Sequence, residues 1–242
     1  MRLYLEHTVQ LTRPGMRELI ISNGFNSARA LIAKKADFVS KMCSYIRKST
    51  GTAAERPDRN ITVETEHRLS RLQLFTKYCY MTEREVDLSN GNGPTLEVLD
   101  SRGTWFDLQP EDPKEDPVKN FKEGANMKIW FQSIKHHLGN VKGASGFPLL
   151  YTIREEREQP ARSIAEVTDF DEDIAPRGRL AGHFWAADNR RLFQFLQIKT
   201  HGTIAWNEIS DCKERMNGRK AYLKLRTKFH GWRLAGSGRH HR

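Results

Sequence analysis

The feature that most constrains the fold is an apolar pattern with helical spacing just past the middle of the chain. Positions i, i+3, i+4, i+7 and i+11 hold Met127, Trp130, Phe131, Ile134 and Leu138. Because an α-helix turns every 3.6 residues, this spacing gathers the side chains on one face, and Gly139 then ends the helix. The segment predicts an amphipathic helix packed in a core.

Further helices are predicted after residues that can cap a first turn, Thr203 among them. Thr62 precedes a helix that runs to about Met81, Asp188 a helix that stops before Gly202, and Asn217 the last helix. The side-chain oxygens of Thr, Asp and Asn accept hydrogen bonds from the free N–H groups of a first turn. The predicted fold class is therefore mainly α.

Composition divides the chain into helical modules joined by an acidic, Gly/Pro-rich linker. With 38% hydrophobic residues the chain is too apolar to be disordered. Within the linker we expect at most a short hairpin, over residues 96–106, and we expect residues 147–153 to be extended. The predicted divisions are a small helical module at 1–51, a long helix at 52–85, the linker at 86–123, a helical domain at 124–232 and a disordered basic tail at 233–242.

The cysteines and the hydropathy indicate where such a protein resides. Cys43, Cys79 and Cys212 are odd in number and far apart, so they form neither a disulfide framework nor a CxxC zinc site. No apolar run approaches the roughly 20 residues that span a bilayer, and the N-terminus lacks the apolar core of a signal peptide. We expect an intracellular, cytoplasmic protein with no membrane partner.

Candidate catalytic and metal-binding residues are few. The tetrapeptide DSRG at 100–103 resembles the Asp-Ser/Thr-Gly of aspartic proteases, but Arg102 interrupts it and a turn is the simpler interpretation. His136 and His137 are adjacent, so on a helix they point about 100° apart and cannot share one metal ion. We expect no enzymatic activity, no metal and no cofactor, and an enzyme of unrecognised type is the third alternative.

The positive charge of the chain is concentrated at its C-terminal end. The formal net charge is +10, and residues 213–242 carry ten Lys or Arg against a single acid, Glu214. Residues 83–123 hold eleven acids against five bases, and residues 155–173 hold eight against two. This polarity predicts a polyanion-binding end and acidic surfaces elsewhere.

The basic end contains one helix with a regular charge pattern. Its predicted apolar face is Gly218, Tyr222, Leu225 and Phe229, and lysines recur every four residues on the other side. Lys and Arg neutralise backbone phosphates, which dominates sequence-independent nucleic-acid affinity. A solvated helix face is the alternative. The predicted nucleic-acid-binding residues are Lys213, Arg215, Arg219, Lys220, Lys224, Arg226, Lys228 and Arg233.

Several motifs occur in an order that resembles the Gag-like (capsid) region of Copia-type retroelements. FWAADNRRLF at 184–193, GTIAW at 202–206 and NGRKAYLKL at 217–225 are similar to a D-N/R-x-x-L/V helix, a G-T-x-A-W turn and a G-R-x-A-W/Y-x-x-L helix of that family. WFQSI at 130–134 and GFPLLYTIRE at 146–155 are similar to its W-x-x-x-I and G-x-P-L-x-Y-x-I-R element. Each motif alone is moderately specific, and their order is considerably more so.

The resemblance implies a helical protein that self-assembles into homo-oligomers and packages element RNA, with no catalytic residues to carry over. The family's usual CCHC zinc knuckle does not occur in the 242 residues, so we expect a region truncated before it. The predicted function is a Gag-like structural protein that self-associates and binds RNA or single-stranded DNA through phosphates. The alternative is a monomeric nucleic-acid-binding adaptor with no assembly role.

Overall fold

A computed structural model describes residues 1–35, 37–49, 61–83, 95–108, 116–154 and 178–230. Its α-helices are α1 (Pro14–Ser22), α2 (Ala28–Ala33), α3 (Phe38–Ser49), α4 (Val63–Met81), α5 (Leu96–Leu108), α6 (Met127–Gly139), α7 (Gly182–Thr200), α8 (Ile204–Ile209) and α9 (Gly218–His230). A π-helical turn covers Tyr4–Thr8, and 3-10 helices cover Leu149–Ile153 and Ser210–Cys212. These ranges contain one isolated bridge, Lys142 with Pro148, and no strand. The mainly α fold class is confirmed.

The chain separates into two compact units, Met1–Leu108 and Gln109–Arg242. None of the helices among the described residues is long and apolar enough to cross a membrane. The three cysteines, all among the described residues, are buried and form no disulfide.

In the first unit α4 is the central helix, and α2, α3 and α5 pack against it. Thr62 caps it as predicted, because its Oγ1 accepts a hydrogen bond from the N–H of Thr65 at 3.1 Å. Gln73, buried in the middle of α4, donates its side-chain amide to the carbonyls of Lys34 and Lys35 after α2. Leu69, Leu72, Phe75 and Cys79 of α4 are all buried.

The hairpin predicted over residues 96–106 is wrong, because these residues belong to α5. Thr95 precedes the helix, and its Oγ1 accepts a hydrogen bond from the N–H of Val98 at 3.3 Å. Leu99 and Phe106 are both buried and stand seven residues apart, which is helical spacing. These two apolar positions, which lie among acidic residues and a glycine, were too few to predict the helix from the sequence.

The glycine in the interior of α5, Gly103, lies against the side chain of Arg71. A Cβ at this position would lie within 3 Å of the side chain of Arg71, which crosses from α4 and pairs with Asp107 at 2.6 Å. The glycine leaves room for this ion pair at the contact between the two helices. The DSRG tetrapeptide therefore lies within α5, and its interpretation as a turn is wrong.

The second part of the predicted linker belongs to the second unit and packs in its core. Phe121 and Val118 are buried, and the N–H of Phe121 donates to the carbonyl of Lys199 at 2.7 Å. The Nζ of Lys199, itself buried, lies 2.6 Å from Asp116 and also donates to the carbonyl of Val118. Residues 86–94 and 109–115 of the predicted linker lie outside the described residues.

The core of the second unit is formed by α6, α7 and α9 around the 3-10 helix Leu149–Ile153. The helix predicted from Met127 ends at Gly139 as expected, and the rest of its apolar face, Trp130, Phe131, Ile134 and Leu138, is buried. The extended segment predicted over 147–153 is wrong. A 3-10 helix occupies its last five residues, of which Leu149, Tyr151, Thr152 and Ile153 are buried.

Asp188 does not cap α7, which begins six residues earlier at Gly182. The carboxylate is buried in the interior of the helix, where it accepts hydrogen bonds from the N–H of Ala144 and the hydroxyl of Tyr151, both at 2.7 Å. Capping propensity depends only on neighbouring residues and can be overridden by packing. Here α7 begins upstream of Asp188 and includes the buried Phe184. Asp188 therefore ties α7 to the loop and the 3-10 helix that precede it.

Candidate nucleic-acid interface

Two residues at the start of α9, Asn217 and Gly218, determine its position. Asn217 caps the helix as predicted, with its Oδ1 accepting from the N–H of Lys220 at 3.0 Å. A Cβ on Gly218 would lie 2.5 Å from the carbonyl oxygen of Asn189 and from the nitrogen of Phe193, so glycine is required where α9 crosses α7. The rest of the predicted apolar face is buried as expected and consists of Tyr222, Leu225 and Phe229.

Burial of that face places a row of three lysines on the outer side of α9. We call Lys220, Lys224 and Lys228 the lysine row, and their side chains are 56%, 38% and 47% exposed. Two carboxylates that precede α9 face them. The Nζ atoms of Lys220 and Lys224 lie 3.4 and 2.7 Å from Asp211, and that of Lys228 lies 3.1 Å from Glu208. Three positive charges are thus opposed by two negative ones.

The contact between Asp211 and Lys224 perturbs both groups. The hydrogen bond from Lys224 lowers the pKa of Asp211 to about 2, and the same bond raises the pKa of Lys224. Both groups therefore remain ionised at any physiological pH. Ion pairs between exposed side chains are weak, so a phosphate can replace the carboxylate as the partner of the lysine.

Arg219 is a correction to the predicted set. Its side chain is buried, and Nη1 donates to the carbonyls of Thr152 and Arg154 at 3.1 and 2.6 Å. These carbonyls close the 3-10 helix Leu149–Ile153, and a cation near the carbonyls at a helix C-terminus is electrostatically favourable. Arg219 joins two elements of the core, and its Nη1 is already bonded to two backbone carbonyls.

The other predicted residues are spread around α9. Lys213 and Arg215 are exposed in the turn between the 3-10 helix Ser210–Cys212 and α9. Arg226 lies on another flank of the helix, which faces α6. Arg233 lies outside the described residues. The structure therefore brings the lysine row together and places Arg226 on a different flank of the helix. Arg219 lies beside the row, but its guanidinium is bonded to core carbonyls.

A groove of about 640 Å³ runs beside the lysine row. Trp185 of α7 and Leu223 of α9 contribute apolar surface, and the lysine row and Glu208 contribute charge. Trp185 is half-buried and its ring meets that of Tyr151 edge-on, with centroids 6.3 Å apart. Lysines beside an aromatic ring are the combination with which proteins bind single-stranded nucleic acid.

Sequence reasoning missed three members of this surface, namely Trp185, Glu208 and Asp211. The acids stand 9 to 20 residues before the lysines they contact, as their numbers show. Rules for charge pairs within a helix reach only three or four residues. The turn between α8 and α9 brings the two acids next to the lysines, and no local sequence pattern predicts this turn.

Neither a metal site nor a similar protein helps to assign a role to this surface. The described residues contain no group of three or more His, Cys, Asp or Glu that could hold a metal ion. Comparisons with known protein families, with characterised proteins and with solved structures give no significant match. The resemblance to Gag-like regions therefore depends on the motifs quoted above alone.

Proposed function

We propose that this protein is a Gag-like structural protein of a retroelement, which self-associates and binds RNA without sequence preference through the outer side of α9. The observation that carries the RNA-binding part is the lysine row. Its members repeat at about 6 Å along a helix whose opposite face is buried in the core. The three ammonium groups are therefore presented together to a chain of phosphates. The proposal places the protein in the cytoplasm and involves no catalytic step or cofactor.

The two opposing acids determine how such binding behaves. Asp211 and Glu208 reduce the positive potential of the resting surface, and phosphates must compete with them for the lysine row. Trp185 offers a ring to the bases, and every base has a face that can stack. We therefore expect weak binding that tolerates any sequence and falls steeply with salt.

Self-association is supported by the family resemblance more than by the surface. In the second unit the exposed large apolar side chains among the described residues are Ile129, Ile198 and Ile204. Isolated residues of this kind are common on monomeric proteins. The assembly part of the proposal must therefore be decided by measuring the oligomeric state.

The experiment is size-exclusion chromatography with light scattering, with and without single-stranded RNA, at about 50 mM and about 500 mM salt. We expect RNA to promote assembly at low salt only. The triple variant Lys220→Gln/Lys224→Gln/Lys228→Gln should lose this response. The matched control is Lys35→Gln/Lys41→Gln/Lys48→Gln, which removes the same charge from exposed positions of the first unit.

Each other outcome points away from part of the proposal. A monomer that binds RNA would favour the adaptor, which needs no assembly. A monomer indifferent to RNA at low salt would overturn the proposal. An equal loss in the two triple variants would assign binding to the net charge of the chain and not to α9.

A further inference from the structure

The helix α3 of the first unit has two opposed faces. One face is buried, packs towards α4 and consists of Val39, Met42, Cys43 and Ile46. The other face is exposed, and we call it the α3 face; it consists of Ser40, Lys41, Ser44, Tyr45 and Lys48. At 100° per residue the centres of the two sets lie about 180° apart around the helix axis. The α3 face therefore points away from the core of the first unit.

Contacts on the other sides of α3 hold this helix in place. Arg47 lies 2.6 Å from the carboxylate of Glu66 in α4, and its Nε donates to the carbonyl of Ile61 at 3.1 Å. At the start of α3 the Nζ of Lys34 lies 4.8 Å from the centre of the Phe38 ring. The side chains of the α3 face are thus carried by a helix that is anchored at both ends, as precise recognition requires.

The segment around α3 is strongly basic. Residues 27–49 carry six Lys or Arg against one acid, Asp37, and residues 50–60 carry two charges of each sign. When Glu66, the partner of Arg47, is counted as well, the excess is six minus two, or +4. Asp37 lies 2.5 Å from Lys41, but both side chains are more than half exposed and such pairs are weak. The charge of this segment is therefore complementary to a polyanion.

The side chains of the α3 face are of the types that contact nucleic acid. Lys, Ser and Tyr donate hydrogen bonds to phosphates, and Lys and Ser also reach the edges of bases. A protein partner that receives a helix in a groove needs apolar anchors at spacings of three and four. The α3 face offers a single large ring, that of Tyr45, and no aliphatic side chain. The face therefore suits a nucleic acid better than a protein.

We propose that the α3 face binds double-stranded DNA in the major groove. This groove is about 12 Å wide, and a helix with its side chains is about 10–12 Å across. Lys41 and Lys48 lie about 10.5 Å apart along the helix axis and contact phosphates at the border of the groove. Ser44 and Tyr45 supply hydroxyl groups on either side of the line between them. The major groove of double-stranded RNA is too narrow for side chains, so the duplex is DNA.

The test is fluorescence anisotropy of a labelled DNA duplex, titrated with the full chain between about 50 mM and about 200 mM salt. We expect saturable binding. Lys41→Gln/Lys48→Gln should weaken it at least about tenfold at low salt and lower the slope of log affinity against log salt by about two, because two phosphate contacts are lost. The control Lys128→Gln/Lys135→Gln removes the same charge, at the same spacing of seven residues, from exposed positions of α6. It should bind the duplex as the unmodified protein does.

Four results would overturn this proposal. They are binding that does not saturate at low salt, an unchanged affinity in Lys41→Gln/Lys48→Gln, an equal loss in the control, and an equal loss for a single strand of the same sequence. If the double variant does not fold, Ser44→Glu replaces it, since a carboxylate in the middle of the α3 face repels phosphates and should abolish its binding to the duplex. Undiminished duplex binding by a folded Ser44→Glu variant would equally contradict the proposal.

The α3 face belongs to the first unit and the lysine row to the second, so this inference does not depend on the proposed function. Lys41→Gln/Lys48→Gln should keep the assembly response to single-stranded RNA, which the lysine row carries. Failure of either proposal can therefore be recognised on its own.

Discussion

The hydroxyl of Tyr151 donates a 2.7 Å hydrogen bond to the carboxylate of Asp188, and both residues are buried. The same carboxylate accepts a hydrogen bond from the N–H of Ala144. A Cβ on Gly143 would lie 2.4 Å from one of its oxygens, so the loop closes tightly around it. This cluster connects α7 to the 3-10 helix whose last carbonyls bind Arg219, and it helps to position the start of α9.

The first prediction concerns the pH dependence of this cluster. Burial raises the pKa of Asp188 above its ordinary value of 3.8, although hydrogen bonds from Ala144 and Tyr151 oppose the shift. The folded state therefore binds a proton more readily than the unfolded state, and this contribution to stability falls as pH rises from 3.8 through the raised pKa. Asp188→Asn removes the dependence.

Urea unfolding of the unmodified protein and the Asp188→Asn variant, from about pH 3 to pH 7, measures this effect. We expect the stability of the unmodified protein to fall relative to that of the variant as pH rises, because asparagine does not ionise. Taking the difference between the two proteins cancels the titration of other carboxylates. A difference that moves in the opposite direction would show that hydrogen bonding outweighs burial at Asp188.

The second prediction concerns the crossing of α7 and α9. Gly218→Ala should lower the free energy of unfolding by about 3 kcal/mol, the upper end for overpacking, because its Cβ would meet backbone atoms that cannot move aside. Gly15→Ala is the control, since a Cβ there meets nothing within 4 Å. Urea unfolding measures both variants. Equal stabilities for the two would show that the helices can separate without loss.

The third prediction concerns the acids that oppose the lysine row. Asp211→Asn should raise RNA affinity by about two- to fivefold at low salt, because a weak surface pair no longer competes with phosphate. Asp37→Asn is the control, since Asp37 is about as exposed as Asp211 and pairs with Lys41 in the first unit. Fluorescence anisotropy with labelled RNA measures both variants, and an unchanged affinity for Asp211→Asn would contradict the expectation.

The pKa of Asp211 adds a condition to this third prediction. Because that pKa is about 2, the pair with Lys224 does not titrate between about pH 5 and pH 8. The increase in affinity on Asp211→Asn should therefore be the same throughout this range.

The helix of Met127 and α9 have a one-sided apolar pattern, and their buried faces follow it. The helix predicted from Thr62 was located by its cap, and as the central helix it is buried at most positions from Leu72 to Cys79. Among the described side chains of α5, the buried apolar ones are Leu99 and Phe106. Asp188 is of a residue type that caps helices, but its actual partners lie 37 and 44 residues away. Local propensity cannot register contacts of that range.

For the candidate site, the sequence shows which residues of α9 are charged, but its periodicity did not identify which of them face solvent. Lys220 and Arg219 are neighbours in sequence, yet one is exposed and the other is buried against carbonyls 65 and 67 residues away.

The fourth prediction separates these roles within α9. Arg219→Gln should lower the free energy of unfolding by about 1.5–3 kcal/mol, because charged donors to buried carbonyls are lost. Its RNA affinity, measured on folded protein well below the unfolding midpoint, should stay unchanged. Lys224→Gln should show the reverse, with weaker RNA binding and nearly unchanged stability, since its side chain is exposed and its ion pair is weak. Thermal unfolding and RNA titration of both variants test the contrast. Loss of RNA binding in a folded Arg219→Gln variant would show that Arg219 contributes to RNA binding, as the sequence predicted.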